Sequence, residues 1–208
     1  MDIITSHIGA DFDSLAAMVA AKRLYPEAEL VFPGSQEKSV RDYLAQEFRN
    51  IYEFKKIRHV DPDRVDRLII VDTRLAERIG RMSDCLKNPR VRVHLYDHHP
   101  ASADDLHGEL ERIEPFGATT TIFVRLFQEQ GIVPTAAEAT LMALGIYEDT
   151  GSFLHSSTCP EDLSAAAWLL GHGANLDIVT QFVSRELSAE QISLIGQLQE
   201  QAVAYMIR

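Results

Sequence analysis

The sequence of 208 residues has little cysteine, no long apolar run and no cluster of basic residues. Its two cysteines, Cys85 and Cys159, are too few for a disulfide framework or a thiolate metal cluster. No apolar run approaches the ~20 residues needed to cross a bilayer. The N-terminus also lacks the basic start and apolar stretch of a signal peptide. We therefore expect a cytoplasmic protein with no membrane partner.

The net charge of −11 argues against an autonomous nucleic-acid-binding module. Affinity for nucleic acid comes mainly from Lys and Arg groups that displace counterions at phosphates. Here the Lys and Arg residues are interspersed among acids. Divalent cations would offset part of the negative charge if some of the acids bind metal. The charge therefore leaves a short single-stranded nucleic acid, or a phosphate-containing small molecule, open as a partner.

The alternation of short apolar runs with segments of helical period indicates an α/β fold with a parallel sheet. The clearest strand is 68–71, which is apolar on both faces as buried parallel strands are. Further strands are predicted at 3–6, 30–32, near 51–54, around 57–60 and at 91–96. We expect a parallel β-sheet of about five strands flanked by helices. The C-terminal part is predicted to be mostly helical, with helices at 119–130, 135–147, 161–171, 175–184 and 188–206.

The last predicted helix carries an apolar stripe that continues almost to the final residue. The stripe consists of Ile192, Ile195, Leu198, Ala202 and Met206. Such a stripe needs a surface on which to pack. We therefore expect one domain over residues 1–186 and a connecting helix over 187–208 that leads to further C-terminal domains. A homodimer is also left open.

Acids and histidines follow the predicted strands at the points where those strands end. They are His7, Asp11, Asp13, Asp72, Asp97, His98 and His99. The carboxyl ends of parallel strands lie along one edge of the sheet, which is where α/β folds bind ligands. Asp149, which follows a predicted helix, opens a further loop. We expect these side chains to converge at this edge.

Each of these residues also has an interpretation without metal. Asp11 or Asp13 could cap the following helix, Asp72 could be a turn residue, and His98-His99 could lie in a solvated loop. Convergence favours metal binding, because gathered carboxylates repel each other unless cations compensate them. Carboxylate and imidazole donors without thiolate suit Mn²⁺ or Mg²⁺ better than structural zinc. We predict two divalent cations, Mn²⁺ first, that share a bridging carboxylate and activate a water for attack at phosphorus.

Four segments together resemble the DHH phosphoesterase superfamily. They are HIGADFDS at 7–14, DT at 72–73, DHH at 97–99 and DTGSF at 149–153. The resemblance covers roughly residues 1–185, with the motifs in order. The superfamily includes single-strand exonucleases, nano-RNA and cyclic-dinucleotide phosphodiesterases, exopolyphosphatases and manganese-dependent inorganic pyrophosphatases. The opening stretch through FPGSQE at 32–37 is similar to bacterial fusion proteins in which a DHH unit precedes CBS modules and a tRNA nucleotidyltransferase or poly(A) polymerase.

The resemblance implies two metal sites that share one carboxylate. One ion would be held by His7, Asp11 and Asp72, and the other by Asp13, Asp72, His98 and Asp149. His99 would face the substrate phosphate, and Asp97 would orient a histidine. The turn at 117–120 could bind an anion through its amides or could simply begin a helix. Family members usually carry a second domain that closes over the metals and supplies basic residues.

The predicted function is a two-metal phosphoesterase domain that hydrolyses a phosphodiester in an oligonucleotide or a cyclic dinucleotide. Asp72 and His99 are the predicted catalytic residues. One alternative is a phosphoanhydride hydrolase that acts on pyrophosphate or polyphosphate. The other is a catalytically weak nucleotide-binding regulatory module of a larger tRNA nucleotidyltransferase-like protein. Glu148, beside Asp149, is interpreted as a solvated acid.

Overall fold

The computed structural model describes residues 1–48, 51–183 and 189–201. Its centre is a parallel sheet with the strand order β2-β1-β3-β4-β5. The strands are β1 (Asp2–Thr5), β2 (Glu29–Leu30), β3 (Arg67–Val71), β4 (Arg92–Asp97) and β5 (Leu110–Ile113). The described helices are α1 (Phe12–Leu24), α2 (Lys38–Gln46), α3 (Thr119–Gln130), α4 (Ala136–Asp149), α5 (Pro160–Gly171), α6 (Leu176–Val183) and α7 (Ala189–Gln201). The predicted α/β class, with a five-stranded parallel sheet and a helical C-terminal part, is confirmed.

The central strand β3 divides the core into two layers. Its side chains alternate between the faces, as the period of a strand requires. Ile69 and Val71 pack into the cluster formed with α1, α3 and α4, while Leu68 and Ile70 pack on the opposite face. Since all four are fully buried, the strand needs no polar face, which explains why its sequence is apolar throughout.

The fifth strand of the sheet is not the one that the sequence predicted. Near 51–54, Phe54 forms only an isolated bridge to Leu30, and Ile57–His59 is a 3₁₀ turn. These two strand predictions were wrong. The actual fifth strand, β5, lies at the sheet edge with Glu111 and Arg112 exposed. Because an edge strand is held by backbone pairing to one neighbour, its side chains need not show an apolar pattern.

Helices α1 and α4 approach each other closely at Gly145. A Cβ atom at this position would lie 2.9 Å from Thr120 Oγ1, 3.0 Å from Asp13 Cα and 3.1 Å from Ala16 Cβ. Such distances are shorter than ordinary carbon contacts, so only glycine allows this packing. The close approach brings the start of α1 beside the end of α4.

The start of α4 is fixed by a buried acid. Thr135 and Glu138 form a capping box. The Glu138 carboxylate also accepts hydrogen bonds from Arg23 Nη1, at 2.6 Å, and from the Tyr52 hydroxyl. These contacts join α4 to the end of α1 and to the loop after α2, which further fixes the two helices relative to each other.

The last described helix, α7, covers part of the predicted helix at 188–206. Leu194, Ile195 and Leu198 on this helix are exposed. Ala202 and Met206, as well as the predicted domain boundary at 186/187, lie outside the described residues. Within the described part of the chain, no helix is long and apolar enough to cross a membrane.

Candidate metal centre

All six proposed metal ligands lie together at the carboxyl edge of the sheet. His7 follows β1, Asp72 follows β3 and His98 follows β4. Asp11 is the N-cap of α1 and accepts a hydrogen bond from Ser14 N, Asp13 lies in the first turn of α1, and Asp149 ends α4. Their donor atoms form two groups in which all atoms lie within 4.8 Å of one another: His7, Asp11 and Asp72; and Asp13, Asp72, His98 and Asp149.

His7 presents its Nε2 atom to the carboxylates of the first group. Nε2 lies 3.3 Å from Asp72 Oδ2 and 3.7 Å from Asp11 Oδ2. Nδ1 lies 3.0 Å from the carbonyl oxygen of Ile8. Donation to this carbonyl leaves the Nε2 lone pair for a metal. Burial by itself lowers the pKa of His7, but the two carboxylates outweigh it and raise the pKa to about 10. A cation at this point would replace that proton.

His98 takes the corresponding position in the second group. Its Nδ1 lies 3.0 Å from the Phe116 carbonyl oxygen, and its Nε2 lies 3.0 Å from Asp149 Oδ2 and 3.7 Å from Asp72 Oδ1. The Asp149 contact lacks hydrogen-bond geometry, and among the described residues Nε2 is a buried atom with no hydrogen-bond partner. Since buried polar atoms are nearly always paired, this atom fits a metal ligand.

Asp72 belongs to both groups and offers one oxygen to each. Oδ2 accepts a hydrogen bond of 2.6 Å from Ser14 Oγ and faces His7, whereas Oδ1 accepts one of 3.1 Å from Thr119 Oγ1 and faces His98. The backbone of Asp72 is left-handed, with a φ of 62°. This conformation is uncommon for a residue with a side chain, although Asp tolerates it better than most. The two oxygens of Asp72 therefore face different groups of donors.

The carboxylates of the centre have no paired Lys or Arg within the described residues to compensate them. Burial and the charges of Asp72 and Asp149 raise the pKa of Asp13 well above its ordinary value. Burial also raises the pKa of Asp149. Two cations would remove this repulsion, so the donor set fits a pair of divalent ions.

Three of the four amides in the turn at 117–120 already donate to carboxylates of the protein. The amides of Thr119 and Thr120 donate to the two oxygens of Asp13, at 2.7 and 2.9 Å. The anion that these two amides bind is therefore the carboxylate of Asp13, a side chain of the protein itself. The amides at the start of α3 therefore orient a proposed ligand, and the helix dipole favours its charge.

His99 is the most exposed histidine of the centre, with 43% of its side chain accessible. Its Nδ1 lies 2.7 Å from Asp97 Oδ1, so Asp97 orients His99, while His98 is oriented by the Phe116 carbonyl. Burial raises the pKa of Asp97, but His99 and Arg74 bring it below the ordinary value. With Nδ1 engaged, Nε2 of His99 is the atom that can face a substrate.

Arg74 has a role that the sequence did not indicate. Its guanidinium donates to Asp97 Oδ2 at 2.8 Å and to the carbonyl oxygens of His99 and Pro100 at 2.7 and 2.9 Å. It also lies 3.1 Å from Asp105. A single arginine after a strand carries no pattern from which these contacts could be predicted. Because its donors are engaged within the protein, Arg74 fixes the His99 loop and is not free to bind a substrate.

The interpretation of Glu148 as a solvated acid was wrong. Its carboxylate accepts a hydrogen bond of 2.7 Å from the amide of Phe12, the first residue of α1. Burial raises the pKa of Glu148 to about 7, despite that hydrogen bond. Glu148 thus connects the end of α4 to the start of α1, between Asp11 and Asp149.

Comparisons with known proteins match this chain to one family and to relatives that are longer than the chain. The model of the DHH family, N-terminal domain, matches residues 3–146. The A-adding tRNA nucleotidyltransferase of Geobacter sulfurreducens is 52% identical over 198 residues, which are 95% of this chain and 22% of that protein. The bifunctional oligoribonuclease and PAP phosphatase NrnA of Thermus thermophilus is 39% identical over 85 residues, 40% of this chain and 26% of that protein.

A solved structure shares the fold. The exopolyphosphatase-related protein from Bacteroides fragilis matches with a TM-score of 0.78 and 19% identity, over 98% of this chain and 62% of that chain. At this identity the match concerns the fold alone. The chain spans about a fifth of the length of the tRNA nucleotidyltransferase that it matches, 22% by residues.

Proposed function

The chain belongs to the DHH family, and on that basis we propose that it is a phosphoesterase domain that uses two divalent cations to hydrolyse a phosphodiester in a short oligonucleotide or a cyclic dinucleotide. The observation that carries the proposal is the position of Asp72, whose two oxygens face separate groups of donors. An acid with a purely structural role would not need to face either group of donors. A shared carboxylate between two ion sites is the arrangement that two-metal hydrolysis requires.

The proposed ligands are His7, Asp11 and Asp72 for one ion, and Asp13, Asp72, His98 and Asp149 for the other. We propose Mn²⁺, with Mg²⁺ as the alternative, because the donors are carboxylates and imidazoles without thiolate. When bound, the ions would neutralise charge on the phosphate and lower the pKa of the attacking water. The protein would contribute by holding the donors rigidly, through Ser14, Thr119 and the amides at the start of α3.

His99 is the proposed substrate-facing residue. The hydrogen bond to Asp97 fixes the ring, and Arg74 fixes both Asp97 and the backbone of His99. When both ring nitrogens carry a proton, the Nε2 atom would donate to a phosphate oxygen or would give its proton to the leaving oxygen. Preorganisation of this kind avoids the cost of ordering the side chain during the reaction.

Substrate binding would depend on further domains of the same polypeptide. Arg74, the arginine beside the centre, has its donors engaged within the protein. The matched tRNA nucleotidyltransferase extends far beyond the length of this chain. We propose that residues 1–186 form the metal-binding domain, that 187–208 connect it to another domain, and that this other domain supplies basic residues to the substrate. The cytoplasmic location and the homodimer stay predictions.

A phosphoanhydride hydrolase is the second candidate. The same donors could hold a phosphoanhydride instead of a phosphodiester, since both reactions displace an oxygen at phosphorus. A weakly active regulatory module is the third candidate, and the engagement of Arg74 favours it if no basic domain follows. The exposed Nε2 of His99 favours an enzyme, because a sensor would not need a proton donor at the substrate.

Hydrolysis by the 208-residue chain with Mn²⁺, which we expect to be slow without the basic domain, should be measured on a dinucleotide, a cyclic dinucleotide, pyrophosphate and polyphosphate. Calorimetry should count the bound ions. We expect two Mn²⁺ ions and faster cleavage of the dinucleotide or the cyclic dinucleotide than of the anhydrides. Asp72→Asn should weaken both ions and abolish hydrolysis. His99→Asn should abolish hydrolysis while two ions remain.

The matched control is His107→Asn, because His107 is 86% exposed and contacts only Glu111 in the part of the chain that the structure describes. This variant should retain wild-type hydrolysis and metal binding. Faster hydrolysis of pyrophosphate than of the dinucleotide would favour the second candidate. An Asp72→Asn variant with wild-type Mn²⁺-dependent hydrolysis would refute the bridging assignment.

A further inference from the structure

We propose that Asp162, a buried acid on α5, is a positioning residue that sets the geometry of one of the two metal sites far more than that of the other. The inference rests on the proposed function, because it concerns the same centre. Asp162 lies on a helix that contributes none of the proposed ligands. Its side chain is nevertheless fully buried beside them.

The Asp162 carboxylate collects hydrogen bonds from three residues. Gly117 N donates to both oxygens at 2.9 and 3.1 Å, Thr121 Oγ1 donates at 2.6 Å and Cys159 N donates at 2.8 Å. The Cys159 contact would be accounted for by capping of α5. The bonds to Gly117 and Thr121 have no such role, because they join α5 to the turn that begins α3.

That turn orients the ligands of one group. The Phe116 carbonyl accepts from His98 Nδ1, the Thr119 and Thr120 amides donate to Asp13, and Thr119 Oγ1 donates to Asp72 Oδ1. These three ligands belong to the group formed by Asp13, Asp72, His98 and Asp149. Three of its four members therefore depend on a segment of five residues.

Gly117 leaves this segment little freedom. A Cβ atom at this position would lie 2.5 Å from Asp162 Oδ2 and 2.7 Å from Thr150 Cγ2. Asp162 and Thr150 thus both lie against Gly117 where a side chain would project. Thr150 directly follows Asp149, the fourth ligand of the group. If a change at Asp162 moved this turn, the positions of all four ligands in the group would change with it.

The ligands of the other group are His7, Asp11 and Asp72, and different contacts orient them. His7 Nδ1 contacts the Ile8 carbonyl, Asp11 accepts from Ser14 N, and Asp72 Oδ2 accepts from Ser14 Oγ. None of these contacts involves the turn at 116–120. Asp72 is the one ligand of this group that also contacts the turn, through its other oxygen. A defect that spreads from Asp162 should consequently weaken one ion more than the other, which general destabilisation would not do.

The test is Asp162→Asn in the 208-residue chain, with Mn²⁺ binding measured by calorimetry and by electron paramagnetic resonance. Asn has nearly the same volume. With its oxygen in the place of Oδ2, its amide nitrogen takes the place of Oδ1 and cannot accept from Gly117 N or Thr121 Oγ1. Residues that support metal ligands typically change affinity by ~10–100-fold when they are replaced. We expect one Mn²⁺ to bind about tenfold more weakly, at the low end of that range, and the other, which shares only Asp72 with it, to lose clearly less affinity.

Glu161→Gln is the matched control, since it removes the same charge from the adjacent, exposed position and should leave both affinities unchanged. Thr121→Val, which removes one donor to Asp162, should cause a smaller loss at the same site and tests the inference if Asp162→Asn fails to fold. Unchanged affinities, or an equal loss at both sites, in the variants at 162 and 121 would overturn the inference. A wild-type chain that binds no Mn²⁺ would instead refute the proposed function, and this inference with it.

Discussion

Replacement of Gly145 by alanine should destabilise the protein, although the same change usually stabilises a helix. In a helix interior, Ala is favoured over Gly by about 1 kcal/mol. Here the added Cβ would lie within 2.9–3.1 Å of Thr120 Oγ1, Asp13 Cα and Ala16 Cβ. Two of these neighbours are on α1, so relief requires α1 and α4 to separate. Overpacking costs about 1–3 kcal/mol. Because three neighbours are crowded here, we expect a cost of about 2–3 kcal/mol, which leaves a net loss of about 1–2 kcal/mol after the helix gain is subtracted.

The free energy of unfolding should be measured by urea denaturation of the metal-free protein, followed by circular dichroism. For a domain of this size, the expected loss corresponds to a decrease in Tm of about 2–8 °C. Because the Cβ would also displace Asp13, the Gly145→Ala variant should bind Mn²⁺ more weakly at the site that contains Asp13.

Gly171→Ala provides the matched control for this prediction. Gly171 ends α5, and a Cβ atom there would meet nothing within 4 Å. This variant should be as stable as the wild type or more stable by up to about 1 kcal/mol. If Gly145→Ala were also as stable as the wild type, α1 and α4 could not be packed as closely as described, and the reasoning would be wrong.

Two further predictions concern Glu148 and Glu138, acids outside the proposed ligands that accept hydrogen bonds from other segments. Glu148→Leu should lower the free energy of unfolding by about 1–3 kcal/mol because Phe12 N loses its partner. Glu148→Gln retains an acceptor and should lose less stability. Equal losses in urea denaturation would exclude this hydrogen bond as the cause. Burial raises the pKa of Glu138, but its hydrogen-bond partners bring it below the ordinary value of 4.5. A carboxylate with a lowered pKa stabilises the fold above its ordinary pKa and loses this contribution as the pH falls through the folded-state pKa. The difference in unfolding free energy between wild type and Glu138→Gln should therefore shrink as the pH falls below about 4.5, and a constant difference would contradict the role of the charge.

The sequence predicted the part of the fold that depends on local patterns. The run at 68–71 is apolar because it is buried on both faces, and this signal identified β3. Helix α3 matched its predicted range of 119–130 because Gly131 adopts the left-handed conformation that ends it. The strand β5 was missed because its exposed residues carry no apolar signal, and the strands near 51–54 and 57–60 were predicted where apolar residues pack without pairing.

For the candidate site, the positions of acids and histidines after strands were sufficient to predict that His7, Asp72 and His98 would meet. A parallel sheet brings its strand ends to one edge, whatever the details of the packing. The sequence could not indicate which partner orients each ligand. Asp97 was expected to orient a histidine, but only the folded chain shows that it contacts His99, while the Phe116 carbonyl contacts His98.

The sequence by itself determined the fold class, the family and the identity of the converging donors, because these depend on periodicity and on the order of motifs along the chain. The tertiary structure decided the rest. It alone shows that Glu148 accepts a hydrogen bond from the start of α1, that Arg74 is engaged within the protein and that Asp162 holds the turn before α3. These are contacts between segments that are distant in the chain, made by single side chains whose surroundings no local pattern encodes.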